Sequence, residues 1–353
     1  MKDKLRFLKV TESNINDLTQ GISELHFEVY KRKFDLEYWQ WRYLSSPAGK
    51  SNLIVAVRGT RVVGKYGLLY IPLIIRGQSV VAGLMSGLSI QSEERSWQCY
   101  RGLIMKSIDE SKEDNLVFRL GLVYRRLIKL AQRMGIASLG SLPVYFGFLD
   151  IARILEERSV PRLFSRLGCL ADPILGLKKK GKKMSGLSIK AIDSFGSDFD
   201  DLWDSITKDY RVAVLKNAAY LNWRYIKNPL RKYGCLGAYR NNRLEGIVVF
   251  CAIELRHSGC VLELLVRNNN PEVMRELLFQ TFRQLRKQDV GCITASFPKD
   301  SITVAVLQNL GFRSWGRKLA DAELMITANY LENSYSKLDL KICNFSLGDW
   351  IEH

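Results

Sequence analysis

One pattern occurs twice in this chain, 182 positions apart, and it limits the possible folds more than any other feature. Tyr38-x-x-Trp41-Arg42-Tyr43-x-x-x-Pro47 returns as Tyr220-x-x-Trp223-Arg224-Tyr225-x-x-x-Pro229. The register then holds without a gap, because Ala56-x-Arg58-x-x-Arg61-x-x-Gly64 returns as Ala238-x-Arg240-x-x-Arg243-x-x-Gly246. Self-similarity at a fixed offset marks two copies of one folding unit. A chain of 353 residues has room for two domains of ordinary size.

The local signals follow the same order in both copies. A strand is expected at Leu5 to Val10 and again at Leu187 to Ile192, each followed by a helical stretch and the Trp-Arg-Tyr segment. A hairpin comes next, turning at Gly59-Thr60 between Leu53–Arg58 and Val62–Leu69, and at Asn241-Asn242 between Gly237–Arg240 and Leu244–Ile253. Third strands span Val80 to Ile90 and Gly259 to Val266. Helices then run from about Cys99 to Glu113 and, behind the cap Asn270-Pro271-Glu272, to Leu285. Apolar strands at Leu116–Leu120 and Cys292–Phe297 precede a last helix that ends at Met134-Gly135-Ile136 or Leu310-Gly311-Phe312, where the offset has fallen to 176.

Apolar content of 47% with 25% charged residues describes a globular chain. The start, Met1-Lys2-Asp3-Lys4-Leu5-Arg6, lacks the apolar stretch of a secretory signal. The longest apolar run, Leu139 to Leu149, stops at Asp150 and is too short to span a bilayer. Seven scattered cysteines without a Cys-x-x-Cys pair read as reduced buried thiols, so a cytoplasmic protein is expected. His26, His257 and His353 show no ligand spacing, so neither a metal site nor Ser-His catalysis is expected. No Walker loop or dinucleotide fingerprint is present.

The net charge is +17, from 53 basic and 36 acidic residues, and it is unevenly placed. Between Leu116 and Lys183, 14 basic residues, Arg119 among them, face only Asp150, Glu156, Glu157 and Asp172. A field of this sign suits a phosphate-bearing cofactor, an RNA or an anionic membrane surface. Leu149 to Leu175 reads as an amphipathic helix broken at Pro161, followed by the Lys178–Lys183 basic linker. Such a connector either packs across both domains as a tether or lies on anionic lipid.

This order of elements, with the doubled Trp-Arg-Tyr segment, Leu310-Gly311-Phe312 and the terminal Gly348-Asp349, resembles the Gcn5-related N-acetyltransferase (GNAT) superfamily. It is similar to the two-unit members found among bacterial cell-surface biosynthesis proteins. The resemblance implies an α+β fold: two GNAT-like domains in tandem, 1–148 and 186–353, each a mixed, mostly antiparallel sheet flanked by helices, joined by a connector at 149–185. It also implies an acyl-CoA co-substrate, acetyl-CoA or another, whose pyrophosphate meets backbone N–H groups where the third strand runs into a helix. In the first copy that region is Ser89, Ile90, Arg95, Ser96, Trp97, Gln98, Cys99 and Tyr100, with Arg95 in its place and Gln98 and Tyr100 where small residues usually stand. The second copy offers Arg267-Asn268-Asn269-Asn270-Pro271-Glu272, with no glycine and with a proline that removes a donor.

Acyl transfer to an amine needs a base for the amine and an acid for the leaving thiolate. Glu93 and Glu94 beside the loop and Glu263 inside a strand are the candidate bases, and Tyr124 is a candidate acid. The tyrosine that such enzymes often carry before the last Gly turn is Ala131 here, and Leu307 in the second copy. Glu263, between Leu262 and Leu264, would need a partner if buried. The Trp-Arg-Tyr segments read as structural plugs, with arginine as a hydrogen-bonding fork. The expected activity is transfer of an acetyl or other acyl group from acyl-CoA to an amine on a small-molecule, sugar or lipid-linked precursor, in the cytoplasm or on the inner membrane face. Two alternatives stay open: a Fem-like transferase that uses aminoacyl-tRNA, and a non-catalytic scaffold of two degenerate copies. DNA is not an expected partner.

Overall fold

The computed structural model describes residues 3–31, 35–124, 128–133, 135–157, 176–177, 185–208, 210, 212–253, 257–314, 323–331, 343–344 and 346. The first copy runs β1 (Leu5–Lys9), α1 (Ile15–Tyr30), α2 (Leu36–Trp39), β2 (Asn52–Arg58), β3 (Arg61–Ile75), β4 (Gln78–Ile90), α3 (Trp97–Glu113), β5 (Phe118–Tyr124), α4 (Ile128–Arg133) and β6 (Ala137–Phe148). A short helix α5 (Ile151–Glu157) follows. The second copy runs β7 (Ser188–Ala191), α6 (Ser197–Thr207), β8 (Val212–Val214), α7 (Ala218–Leu221), β9 (Gly234–Arg240), β10 (Arg243–Ile253), β11 (Ser258–Val266), α8 (Pro271–Lys287), β12 (Cys292–Ser296), α9 (Ile302–Asn309), β13 (Arg313–Ser314), β14 (Glu323–Tyr330) and β15 (Cys343–Asn344). This is the expected mixed α and β architecture, with helices flanking sheets that are mostly antiparallel.

The boundaries follow from local chemistry. Asn241 and Asn242 both take positive φ, 49° and 62°, which gives the second hairpin a turn whose twist matches its strands. Gly59, at φ 60°, turns the first. Helix α3 starts at Ser96, whose hydroxyl accepts from Cys99 N–H. Helix α8 starts at Asn270 with Pro271 in its first turn. Gly135 and Gly311, with φ of 73° and 106°, end α4 and α9 in the left-handed region.

The strands join into one continuous sheet in the order β1-β2-β3-β4-β5-β14-β6-β12-β11-β10-β9-β7. The middle of that order is an exchange. Strand β14, from the second copy, lies antiparallel between β5 and β6 of the first, pairing Thr327 with Gly121 and with Ser138. In return β6 crosses into the second copy, where Val144–Phe148 pair with β12 and Tyr145 and Phe146 pair with β13. Strand β8 also crosses over, pairing Ala213 with Ile74 of β3. The sheets of the two copies are therefore completed reciprocally. The expected boundary at 148 coincides with the end of β6, a strand that serves both copies.

The two Trp-Arg-Tyr segments meet each other. Each is one π-helical turn, Gln40–Leu44 and Asn222–Ile226, entered through a side-chain cap in which Asp35 accepts from Tyr38 N–H and Asn217 from Tyr220 N–H. The extra residue in each turn accompanies a face-to-face contact: the indoles of Trp41 and Trp223 stack at 5.5 Å and 23°. Each indole N–H donates to the other's backbone carbonyl, Trp41 Nε1 to Trp223 O at 2.8 Å and Trp223 Nε1 to Trp41 O at 2.9 Å. Each buried indole donor is thus satisfied by the other copy. A single core cluster takes in Trp41, Leu73 and Leu120 of the first copy with Phe199, Val214 and Trp223 of the second.

The run at Leu139 to Leu149 is mostly strand β6. One expectation needs revision: Arg119, counted in the basic field, is fully buried with Nη2 on Tyr66 OH at 3.1 Å and Ser107 Oγ at 3.2 Å. The break at Pro161, the Lys178–Lys183 run and Gly348-Asp349 lie outside the described residues. No described helix is long and apolar enough to cross a membrane.

One carboxylate in this fold titrates in a directed way. Burial alone would raise the pKa of Glu110, but hydrogen bonds from Lys106 and Lys9, each ion pair at 2.8 Å, outweigh it and lower the value. Its contribution is complete above the unfolded carboxylate value of about 4.3 and is lost as pH falls through the lower folded value. Glu110→Gln is expected to lower the melting temperature at pH 7, with the gap to wild type closing on acidification. Melting curves from neutral to acid pH check this, and a gap that stays constant contradicts it.

Candidate functional site

In the first copy, β4 and β5 run parallel only as far as Met85 opposite Gly121. Beyond that point β5 keeps β14 as its partner, and Ser86–Ile90 of β4 face an opening. A bulge at Gly87, φ 64°, breaks the β3–β4 register there and bends the strand. The same arrangement recurs in the second copy, where β11 and β12 part after Val261 and Ala295 and the β10–β11 register shifts between Val249 and Phe250. Each V-shaped opening leads to the start of a helix, α3 or α8.

Those two helix starts differ. Among the described residues the Ser96 hydroxyl accepts only from Cys99 N–H, which leaves the first-turn amides of Trp97 and Gln98 outside the cap. Asn270 Oδ1 accepts from both Glu272 N–H and Val273 N–H, at 3.0 and 3.3 Å, and Pro271 has no N–H to offer. The first copy therefore keeps donors and helix potential that an anion could use. The second copy has spent its own.

The expected cofactor-binding residues fall into two groups. Arg95 is exposed, with Nε directed to Ile90 O at 3.3 Å, and Trp97 is exposed and stacks on Tyr100 at 5.8 Å. Gln98 is exposed beside them. Ser89 is buried, and Ile90 packs with Tyr100 against the small core of Ile54, Val63 and Leu103. Cys99 is fully buried in that core, with its pKa raised by burial, so only its backbone could meet a ligand. Burial pushes the Tyr100 phenol up to about 12, with Tyr66 adding to the shift. Arg95, Ser96, Trp97 and Gln98 thus form the accessible rim, and Ser89, Cys99 and Tyr100 form its support.

The candidate acid–base residues are not brought together. Both oxygens of Glu94 are held in a fork by Arg58, Nε to Oε1 at 2.9 Å and Nη2 to Oε2 at 2.8 Å. That hydrogen bond also raises the Arg58 pKa. Glu93 is exposed opposite Arg61 at 3.6 Å. Tyr124 stands at the C-terminal end of β5, its backbone paired with Leu324 of β14; its side chain is not among those described.

Glu263 is fully buried in the second copy and does have the partner that burial requires. Its Oε2 receives Lys216 Nζ at 2.7 Å and Ser346 Oγ at 2.8 Å, and its Oε1 receives Tyr225 OH at 2.7 Å. Lys216 also donates to Ser346 Oγ at 2.9 Å. To act as a base Glu263 would first have to leave this network, so its geometry is that of a tie between the chain end, the Trp-Arg-Tyr turn and β11. Lys216 and Ser346 were not expected from the sequence. Lys216 lies in a loop without pattern, and nothing local links it to a residue 47 positions on.

A mixed sheet that opens between its fourth and fifth strands onto a helix N-terminus, built twice with exchanged strands, is a tandem GNAT fold. Solved structures agree. A Saccharomyces cerevisiae N-myristoyltransferase with bound myristoyl-CoA matches at TM-score 0.65 and 13% identity, covering 99% of this chain and 89% of that one. A tandem GNAT protein from the clavulanic acid biosynthesis pathway matches at 0.61 and 12%, covering 93% and 98%. A GCN5-related N-acetyltransferase from Anabaena variabilis matches at 0.59 and 14%, covering 93% and 73%. At these identities the likeness is one of fold. No protein-family model and no curated protein matches the chain.

Proposed function

We propose that the chain is an acyl-CoA-dependent N-acyltransferase whose donor site lies in the first copy, at the mouth of the β4–β5 opening. One observation carries the choice of copy: the first-turn amides of α3 stand outside its cap, whereas Asn270 and Pro271 close the start of α8. The bound myristoyl-CoA of the yeast structure supports the choice of donor class. A bound acyl-CoA supplies an acyl thioester, and the residues of the first copy bind and orient it.

The amides of Trp97 and Gln98, with the Arg95 guanidinium, would hold the pyrophosphate. In this reading an extended amide-bearing arm lies in the opening where β4 and β5 part after Met85 and Gly121. Arg58 holds Glu94, and Glu94 fixes the turn ahead of Arg95, so the rim is pre-formed. In this reading Tyr124, at the C-terminal end of β5, is the remaining candidate acid. The acceptor in this reading is an amine on a small-molecule or lipid-linked precursor, reached from the cytoplasm or an anionic membrane face.

The test is release of free thiol from acetyl-CoA or myristoyl-CoA in the presence of amine acceptors, with Trp97→Pro as the probe variant. Proline is tolerated in the first helical position but removes one donor. An acceptor-dependent turnover is expected, with KM for the acyl-CoA rising about tenfold in the variant and kcat little changed. No thiol release with either donor, or an unaltered KM, contradicts the proposal.

A further inference from the structure

The second copy has a cleft that the acyl-transfer reading does not use. It encloses about 490 Å³, in the size range of small-molecule sites, between α6, the Asn241-Asn242 turn and the residue that follows β11. Asp198, Asp201 and Asp204 of α6 line one wall at three-residue spacing, which puts like charges side by side on one helix face. Lys208, Arg243 and Arg267 supply the basic groups of the lining. Among the described residues, no ion pair joins these acids to these bases; the polar contact of Asp198 is with the Tyr239 hydroxyl.

Arg267 sets the chemistry of the floor. It is only 9% exposed, its Nε has no hydrogen-bond partner among the described residues, and its Nη2 reaches Leu244 O at a long 3.5 Å. A buried guanidinium is strongly destabilised unless its donors are matched, and a carboxylate matches two of them in parallel. The equivalent residue after β4 is Gln91, which carries no charge, so this floor belongs to the second copy alone.

We propose that this cleft binds a small zwitterion, an α-amino acid, with its carboxylate on Arg267 and its ammonium on the Asp201–Asp204 wall. A simple anion would face three carboxylates, and a simple cation would face Arg267, Arg243 and Lys208. A molecule carrying both charges a few bonds apart satisfies both sides and relieves the crowding of the aspartates. The site shares no residue with the β4–β5 opening and stands whether or not the chain transfers acyl groups.

Thermal stability and calorimetric titration of the full chain test it, using each proteinogenic L-amino acid in turn, with inorganic phosphate and ethylammonium as single-charge probes. At least one amino acid should bind saturably at millimolar concentration or below, while neither single-charge probe does. Arg267→Met and, on the exposed wall, Asp204→Asn should each weaken that binding about tenfold or more, the scale of one charge-assisted hydrogen bond. Asp204→Asn keeps the test informative if the buried substitution impairs folding. Absence of binding by every amino acid overturns the proposal. So does phosphate binding that matches the best amino acid, or amino-acid affinity unchanged in Asp204→Asn.

Discussion

Lys216→Met should destabilise the protein by about 3–5 kcal/mol, the cost of removing one member of a buried ion pair. Lys216 and Glu263 are both without solvent exposure, and the lysine also donates to Ser346. Methionine fills the same volume but leaves the Glu263 carboxylate buried, with Tyr225 and Ser346 as the partners shown by the geometry. Adding Glu263→Gln to Lys216→Met removes the stranded charge and should restore part of the loss, a coupling a double-mutant cycle reads directly. Urea unfolding of the two single variants and the double variant measures it. A Lys216→Met variant within about 1 kcal/mol of wild type would show that the pair is not what ties the chain end to β11.

Cutting the chain inside the Lys178–Lys183 run should abolish folding of either half alone and restore it when both are present. The first half would lose β14 from between β5 and β6, and the second would lose β6 from between β12 and β13. Each would then expose open strand edges in the middle of a sheet, a template for aggregation. Each would also expose one face of the Trp41–Trp223 stack. Total stabilities of about 5–15 kcal/mol leave no margin for losses of that kind. Co-expression of the halves should give a one-to-one complex with the circular dichroism of the intact chain. A half that is soluble, monomeric and cooperatively folded by itself would contradict the exchanged arrangement.

The exchange explains which parts of the fold were legible. Hairpins and helix starts are written locally: Asn241-Asn242, Gly59-Thr60, Ser96 and Asn270-Pro271 each carry their own conformational reason. Strand β6 is not written that way. Its segment, with Gly140, Pro143 and Gly147 among apolar residues, shows no clean alternation because its two ends serve different copies. Strand β14 is likewise specified by β5 and β6, some two hundred positions earlier. In the site, the loop at Arg95–Tyr100 could be placed from the repeat, but which side chains face the core depends on the α3 packing that buries Cys99. Glu263 could be flagged as a buried strand carboxylate, but its partner Lys216 follows from tertiary structure alone.

The place of the donor in the first copy is tested most directly by hydrogen–deuterium exchange of the intact chain with and without acyl-CoA. Slowed exchange is expected at amides 86–100, covering the end of β4 and the start of α3, with 262–274 unchanged. Slowed exchange at 262–274 instead, or no change in either segment at saturating acyl-CoA, would contradict a first-copy donor site.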